Sequence, residues 1–148
     1  MMEKKTPIIP TWTINCQFPA YQCTETEYLM DAHTEGLTVQ GHPELAIVVS
    51  IPVETAGEIL NTLGTRITNG ESFTIPGIYE NILQEEYPVR VIRTEYGLGK
   101  EVMVLFLLDE NRHLPEDQGC EEPYSLQPEY LRRIENDYIY DGPLFKGN

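Results

Sequence analysis

The spacing of apolar residues sorts the chain into strands and helices. Trp12-Thr13-Ile14-Asn15-Cys16-Gln17-Phe18 alternates large apolar and polar side chains, a period of two that predicts a first strand ended by Pro19. Tyr21–Met30 fits either one capped helical turn or a loop. Ala32–Gln40 reads as a short strand or extended arm. Gly41 and Pro43 force a turn, and Glu44–Ile51 is then a run of β-formers. Pro52 suits the first turn of a helix, where its missing N–H costs nothing. Beyond it Val53, Ala56, Ile59, Leu60, Leu63 and Ile67 recur at helical spacing, and Asn69-Gly70 supplies a stop. The interior glycines of this helix, Gly57 and Gly64, are each less favourable than alanine by ~1 kcal/mol. They are tolerable if the helix lies close against a sheet.

The second half alternates again. Glu71–Gly77 is extended and turns at Pro76-Gly77, and Ile78–Glu85 predicts a short helix. Pro88–Glu95 predicts a strand with Val89 and Val91 on one face and Arg90, Ile92 and Thr94 on the other. Gly97-Leu98-Gly99 is a turn. Glu101–Leu108 is a continuous apolar run of strand length, the pattern of a strand buried on both faces. Asp109–Tyr124 is a polar loop given a fixed shape by proline and glycine. Leu126–Tyr140 predicts a second helix with Pro128 in its first turn and Tyr130, Leu131 and Ile134 as its apolar stripe. No internal repeat or interdomain linker interrupts the order. The expected fold is a single compact α+β domain spanning residues 1–148. It has a mixed, mostly antiparallel sheet, one main amphipathic helix packed on a face and a C-terminal helix, with residues 1–11 and 141–148 as flexible tails.

Charge narrows the partners. The chain has 24 acidic and 10 basic residues, a formal net charge of −14. That argues against nucleic acid, whose backbone is bound by displacing counterions with cations. It argues equally against anionic membrane surfaces. It favours basic or neutral partners, and a local cationic pocket for a small anion is still compatible with it. Nine tyrosines supply side chains suited to cleft walls and interfaces. The cysteines, Cys16, Cys23 and Cys120, are odd in number, and the start of the chain is too polar for a signal segment. No run is long enough to span a membrane. The expectation is a cytoplasmic protein with reduced thiols.

A cluster of short motifs points to a family. Thr34-Glu35-Gly36-Leu37, then Gly41-His42-Pro43-Glu44-Leu45, then the apolar Ala46–Ile51 and the proline-opened Pro52–Leu63 follow one another. With Tyr87-Pro88-Val89-Arg90 and the loop His113-Leu114-Pro115-Glu116-Asp117-Gln118-Gly119-Cys120, this order resembles an uncharacterised bacterial and phage family, domain of unknown function 4262. The resemblance covers roughly residues 32–124 and supports the fold more than any activity. Glu35 stands where the family pattern has an apolar residue, His33 where an aromatic is usual, and Glu116 where Trp or Gly is frequent.

Candidate chemistry gathers around the same motifs. His42 and Glu44 flank Pro43 and either present an imidazole and a carboxylate at a strand mouth or serve as turn chemistry, His42 bonding a nearby carbonyl; the second reading is preferred. His33, His42 and His113, with Cys120 or Glu116, lack metal-ligand spacing, so neither a metal nor a cofactor is expected. Cys120 is not expected to act as a nucleophile, since Glu121 and Glu122 beside it raise a thiol pKa. No nucleophile elbow, phosphate loop or dinucleotide fingerprint occurs, so no catalytic residue is assigned. Arg90 can clamp a carboxylate or phosphate, or pair structurally with an acid, the more common outcome.

The leading expectation is non-enzymatic binding of a small polar or nucleotide-like ligand, sequestered in a bacterial or phage conflict setting. The expected pocket is made by His33, Thr34, Glu35, Gly36, His42 and Glu44 and closed by Arg90, His113 and Tyr124. One alternative is an acidic inhibitor or immunity-type protein that masks a basic protein partner. Another is a hydrolase using His42, His113 and nearby acids. A homo-oligomer stays open.

Overall fold

In the computed structural model of the protein, residues 12–17, 29–49, 51–96, 100–129 and 131–132 are described. Six strands form one sheet: β1 (Thr13–Gln17), β2 (Leu29–Glu35), β3 (Glu44–Val49), β4 (Gly77–Tyr79), β5 (Val89–Tyr96) and β6 (Lys100–Leu107). The helix α1 (Val53–Thr68) follows β3. The spatial order is β1-β2-β3-β6-β5-β4. β3 and β6 pair in parallel, and every other neighbouring pair is antiparallel. Helical backbone recurs at 127–129 and 131–132. This is the expected α+β architecture. The expected tails at 1–11 and 141–148, the Gly97–Gly99 turn, and Tyr130 and Ile134 lie outside the described residues.

The burial pattern explains why β3 and β6 sit at the centre. Every residue of β3 is buried, as is β6 from Val102 onward. An uninterrupted apolar strand needs both faces covered, which is the condition of a parallel pair. On one face α1 places Ala56, Leu60, Leu63 and Ile67 in a core with Met30, Ala32, Leu45, Ile47 and Val49. That core continues through Val89, Val91, Met103 and Leu105 to Phe73 and Tyr79. On the other face Ala46, Val48, Val104 and Phe106 pack with Leu126 and Leu131. Leu131 therefore does the work expected of the C-terminal apolar stripe.

The helix explains its glycines unequally. A Cβ on Gly64 would lie 2.6 Å from Cε2 of Trp12, so this glycine lets the indole rest against the helix backbone. Trp12 Nε1 donates to Asn61 Oδ1 at 3.2 Å, which fixes the ring. A Cβ on Gly57 meets nothing within 4 Å. Val53, expected in the buried stripe, is 50% exposed because it sits in the first turn, just past the end of β3.

Two expectations are corrected. Ala32–Gln40 is not one extended arm: β2 stops at Glu35, and Leu37–Gln40 is a 3-10 turn. Gly36 at φ 121° and Gly41 at φ 84° bracket that turn with backbone that other residues adopt reluctantly. Ile78–Glu85 is not a helix. Gly77–Tyr79 adds to the free edge of β5 instead, and only Gln84–Glu86 forms a 3-10 turn. Glu85 and Glu86 have φ of 60° and 56°, which a right-handed helix cannot continue through. Arg66 Nη1 holds the intervening bend by donating to the Asn81 carbonyl at 2.9 Å.

The Trp12–Gly64 contact separates two otherwise similar substitutions. Gly64→Ala overpacks the indole and should lower stability by about 1–2 kcal/mol. Gly57→Ala gains helix propensity in open space and should raise it by about 0.5–1 kcal/mol. Urea midpoints of the two variants measure the contrast.

Candidate functional site

The GHPE turn is built around a buried carboxylate. Glu44 is 8% exposed, yet its two oxygens accept five hydrogen bonds. Oε1 accepts from Thr34 Oγ1 at 2.7 Å and the Leu37 amide at 3.1 Å. Oε2 accepts from the Gly36 and Thr38 amides at 3.0 and 3.1 Å and from Thr38 Oγ1 at 3.2 Å. The 3-10 turn points its first amides, which lack partners within the turn, at the carboxylate. Thr34 Oγ1 in turn accepts the Leu45 amide at 2.9 Å. Burial pushes the Glu44 carboxyl up, but these donors outweigh it and hold the pKa below the ordinary glutamate value. Glu44 is saturated, so it has little capacity left for a ligand.

His42 is also turned inward. Its Nδ1 lies 2.9 Å from the Pro43 carbonyl, which only accepts, so Nδ1 carries the proton. The ring meets Phe73 edge-on, with centroids 6.1 Å apart. Nε2 is buried with no hydrogen-bond partner among the described residues. The geometry is that of turn chemistry. His33 and Glu35 face the opposite side of the sheet from Thr34, as alternate strand residues must. His33 Nε2 lies 3.2 Å from Glu35 Oε2, and Asn15 Nδ2 donates to the same oxygen at 3.4 Å.

A second buried carboxylate closes the far end of β6. Asp109 is fully buried. Oδ1 accepts the Asn111 and His113 amides at 3.0 and 2.8 Å. Oδ2 accepts the Glu121 amide at 2.9 Å and pairs with His113 Nδ1 at 3.0 Å. Both ends of the 109–121 loop thus hang on one side chain. Burial pushes this carboxyl up, but the amides of His113 and Glu121, then the His113 ring, bring its pKa down to about 2. The His113 ring is a third exposed, with Nε2 on the side away from Asp109. Beside it, burial first and then the charges of Asp109, Asp117, Glu121 and Glu116 push the Cys120 thiol up, the direction opposite to an activated nucleophile. Burial and then Asp109, Glu110 and Glu121 raise the Tyr124 phenol likewise. Gln127, which pattern reading passed over, is fully buried and acts as a surrogate strand. It accepts from the Leu107 amide at 2.9 Å and donates to the Leu107 carbonyl at 2.7 Å.

Arg90 is engaged with Glu116 through two parallel bonds of 2.9 and 2.7 Å. That clamp lowers the Glu116 pKa. Arg93 pairs with Glu101 at 2.7 Å. The structural ion pair is therefore the reading that fits both arginines.

The expected single pocket is not formed. Glu44 is registered against Val102, Arg90 against Phe106, and Asp109 lies two residues beyond the end of β6. From Val102 to Leu107 alone a strand advances roughly 16 Å. β3 and β6 run parallel, so the start of one and the end of the other lie at opposite ends of the sheet. Thr34, Gly36, His42 and Glu44 occupy one end; Arg90, His113 and Tyr124 approach the other; His33 and Glu35 lie on the opposite face from Thr34.

A cavity of about 440 Å³ lies elsewhere, lined by Ile78, Tyr79, Glu80, Asn81 and Glu86 beside β4. It includes none of the candidate residues and is an open groove. Among the described residues no group of three His, Cys, Asp or Glu side chains is placed to hold a metal ion. No helix among them is long and apolar enough to cross a membrane.

The family model for the domain of unknown function DUF4262 matches residues 20–121. The chain belongs to this family. The matched span takes in the Glu44 turn, α1, the β4 groove and the Asp109 loop, so the DUF4262 region holds both carboxylate-centred ends of the sheet. No curated protein and no solved structure matches the chain.

The two carboxylates make stability pH-dependent. Each has a folded pKa below its unfolded one, so its contribution is complete above the unfolded value and is lost as pH falls through the folded one. Stability should decline from about pH 5 downward and continue to fall toward about pH 2, where Asp109 protonates. Glu44→Gln supplies an amide nitrogen where backbone donors need an acceptor and should cost about 2–4 kcal/mol. Asp109→Asn should lower the melting temperature at neutral pH and flatten the acid limb. Thermal unfolding across pH checks both.

Proposed function

We propose that the protein is a non-enzymatic binding protein whose partner is a basic protein surface, which it masks in a bacterial or phage cytoplasm. The observation that carries this reading is the open groove beside β4, with Glu80 and Glu86 in its lining and Ile78 55% exposed within it. It lies on a chain of formal net charge −14, which steers basic partners at long range. Of the two nearby arginines Arg66 is neutralised, while Arg112 donates to the Glu85 and Glu86 carbonyls at 3.4 Å and leaves one cation against the two carboxylates of the lining. Arg66 is held by Glu71 through bonds of 2.8 and 2.6 Å. Arg112 sits over the Tyr87 ring at 5.0 Å. Two groups expected to meet a small ligand are satisfied internally, Glu44 by five donors and Arg90 by Glu116.

The Asp109–His113 pair favours a second reading, in which an imidazole oriented by a buried carboxylate recognises or hydrolyses a small polar ligand through Nε2. The readings diverge on salt. A basic protein captured from bacterial lysate should associate about tenfold more slowly at high than at low ionic strength, and Glu80→Lys with Glu86→Lys should slow it comparably. A salt-insensitive association rate removes the proposal. Retention of a small molecule in native mass spectra, lost on His113→Ala, favours the second reading.

A further inference from the structure

The geometry points to strand addition at β4: an extended, lysine- or arginine-bearing segment of the partner pairs with the outer edge of β4 as a seventh strand and sets its cations against Glu80 and Glu86. This rests on the basic-partner reading above and specifies its mode of engagement. β4 is one of the two terminal strands of the sheet, with β1 at the other end, and is paired only with β5 through Gly77↔Val91, Ile78↔Arg90 and Tyr79↔Val89. Successive residues of a strand turn their N–H and C=O groups to opposite edges, so β4 presents backbone donors and acceptors outward. Among the described residues no further backbone–backbone hydrogen bond reaches Gly77–Tyr79.

Among the described residues the side chains of β4 itself do not fold over that edge. Tyr79 folds back onto the preceding segment, its hydroxyl donating to the Thr74 carbonyl at 3.1 Å and accepting the Thr74 amide at 2.6 Å. Its ring meets Phe73 edge-on at 5.2 Å. Gly77 contributes no side chain. Ile78 is among the exposed large apolar residues of the described chain, beside Val39 and Val53. Natural edges are blunted by brevity, a charged side chain, a proline or a covering element; β4 has three residues and follows Pro76, so the edge it offers is short. Here the charged residues of the groove lining are Glu80 and Glu86, while Arg66 and Arg112 donate to the Asn81 and Glu86 carbonyls.

Charge selects the occupant. A second copy of this chain would bring a net charge of −14 and the same glutamates to the same edge, so self-pairing is opposed. An extended basic segment meets the backbone edge, the apolar Ile78 and the two carboxylates together. Main-chain bonds then supply affinity and alternate side chains supply specificity, as in other strand-addition modes.

The test uses the full chain, isotope-labelled for amide spectra, and two capped peptides. One alternates lysine and valine; the other has the same sequence with alternate backbone nitrogens methylated, which keeps charge and removes pairing. The first peptide should shift the amides of Ile78, Tyr79 and Glu80 and slow their hydrogen exchange. The methylated peptide should bind about tenfold more weakly, and Glu80→Lys with Glu86→Lys should weaken both. Equal binding of the two peptides, or shifts that miss β4, overturns strand addition while a salt-sensitive captured partner keeps the basic-partner reading. A captured partner with a salt-insensitive rate overturns that reading itself.

Discussion

Parallel pairing of β3 with β6 is the constraint on which the rest of the structure depends. Both strands are apolar on both faces, so water must be excluded above and below. α1 meets that demand on one face, and the segment carrying Leu126 and Leu131 meets it on the other. A parallel pair also needs a long crossover, and here the connection supplies α1, β4 and β5 before the chain returns as β6.

The ends of the pair impose a second demand. A strand that is buried to its last residue leaves backbone amides near its ends without ladder partners, and unpaired buried amides are costly. Glu44 gathers three such amides where β3 begins. Asp109 gathers three where β6 ends, and Gln127 completes both groups of Leu107. These acids are ionised although buried, because donated hydrogen bonds outweigh the desolvation of each. Groups that look reactive in sequence are thereby used as closures. The periphery is less closed: β4 pairs with one neighbour and a groove opens beside it.

Pattern reading succeeded where the apolar pattern was continuous or regularly periodic. The alternation around Ile14, the run from Glu44 and the helical stripe ending at Asn69-Gly70 each carry their own signal, as does the apolar run through Leu105. It failed where a local pattern was overruled from a distance. Leu37–Gln40 has β-forming residues, but the Glu44 carboxylate draws its amides into a turn. Ile78 fits a helical spacing, but the free edge of β5 recruits it as a strand. The role of Gln127 had no local signal, because its partner, Leu107, is twenty positions away in sequence.

What the amino-acid order determined by itself was the type of the longer elements, the α+β class, the family and the acidic bias, since each follows from neighbours or from a sum over residues. The candidate residues were legible as residues with chemistry; their grouping was not. Whether His42, Glu44, Arg90 and His113 converge depends on strand direction, and a buried apolar strand reads the same in either direction. Only the tertiary structure made β3 and β6 parallel, which sent Glu44 and Asp109 to opposite ends of the sheet and put β1 and β4 at its two edges.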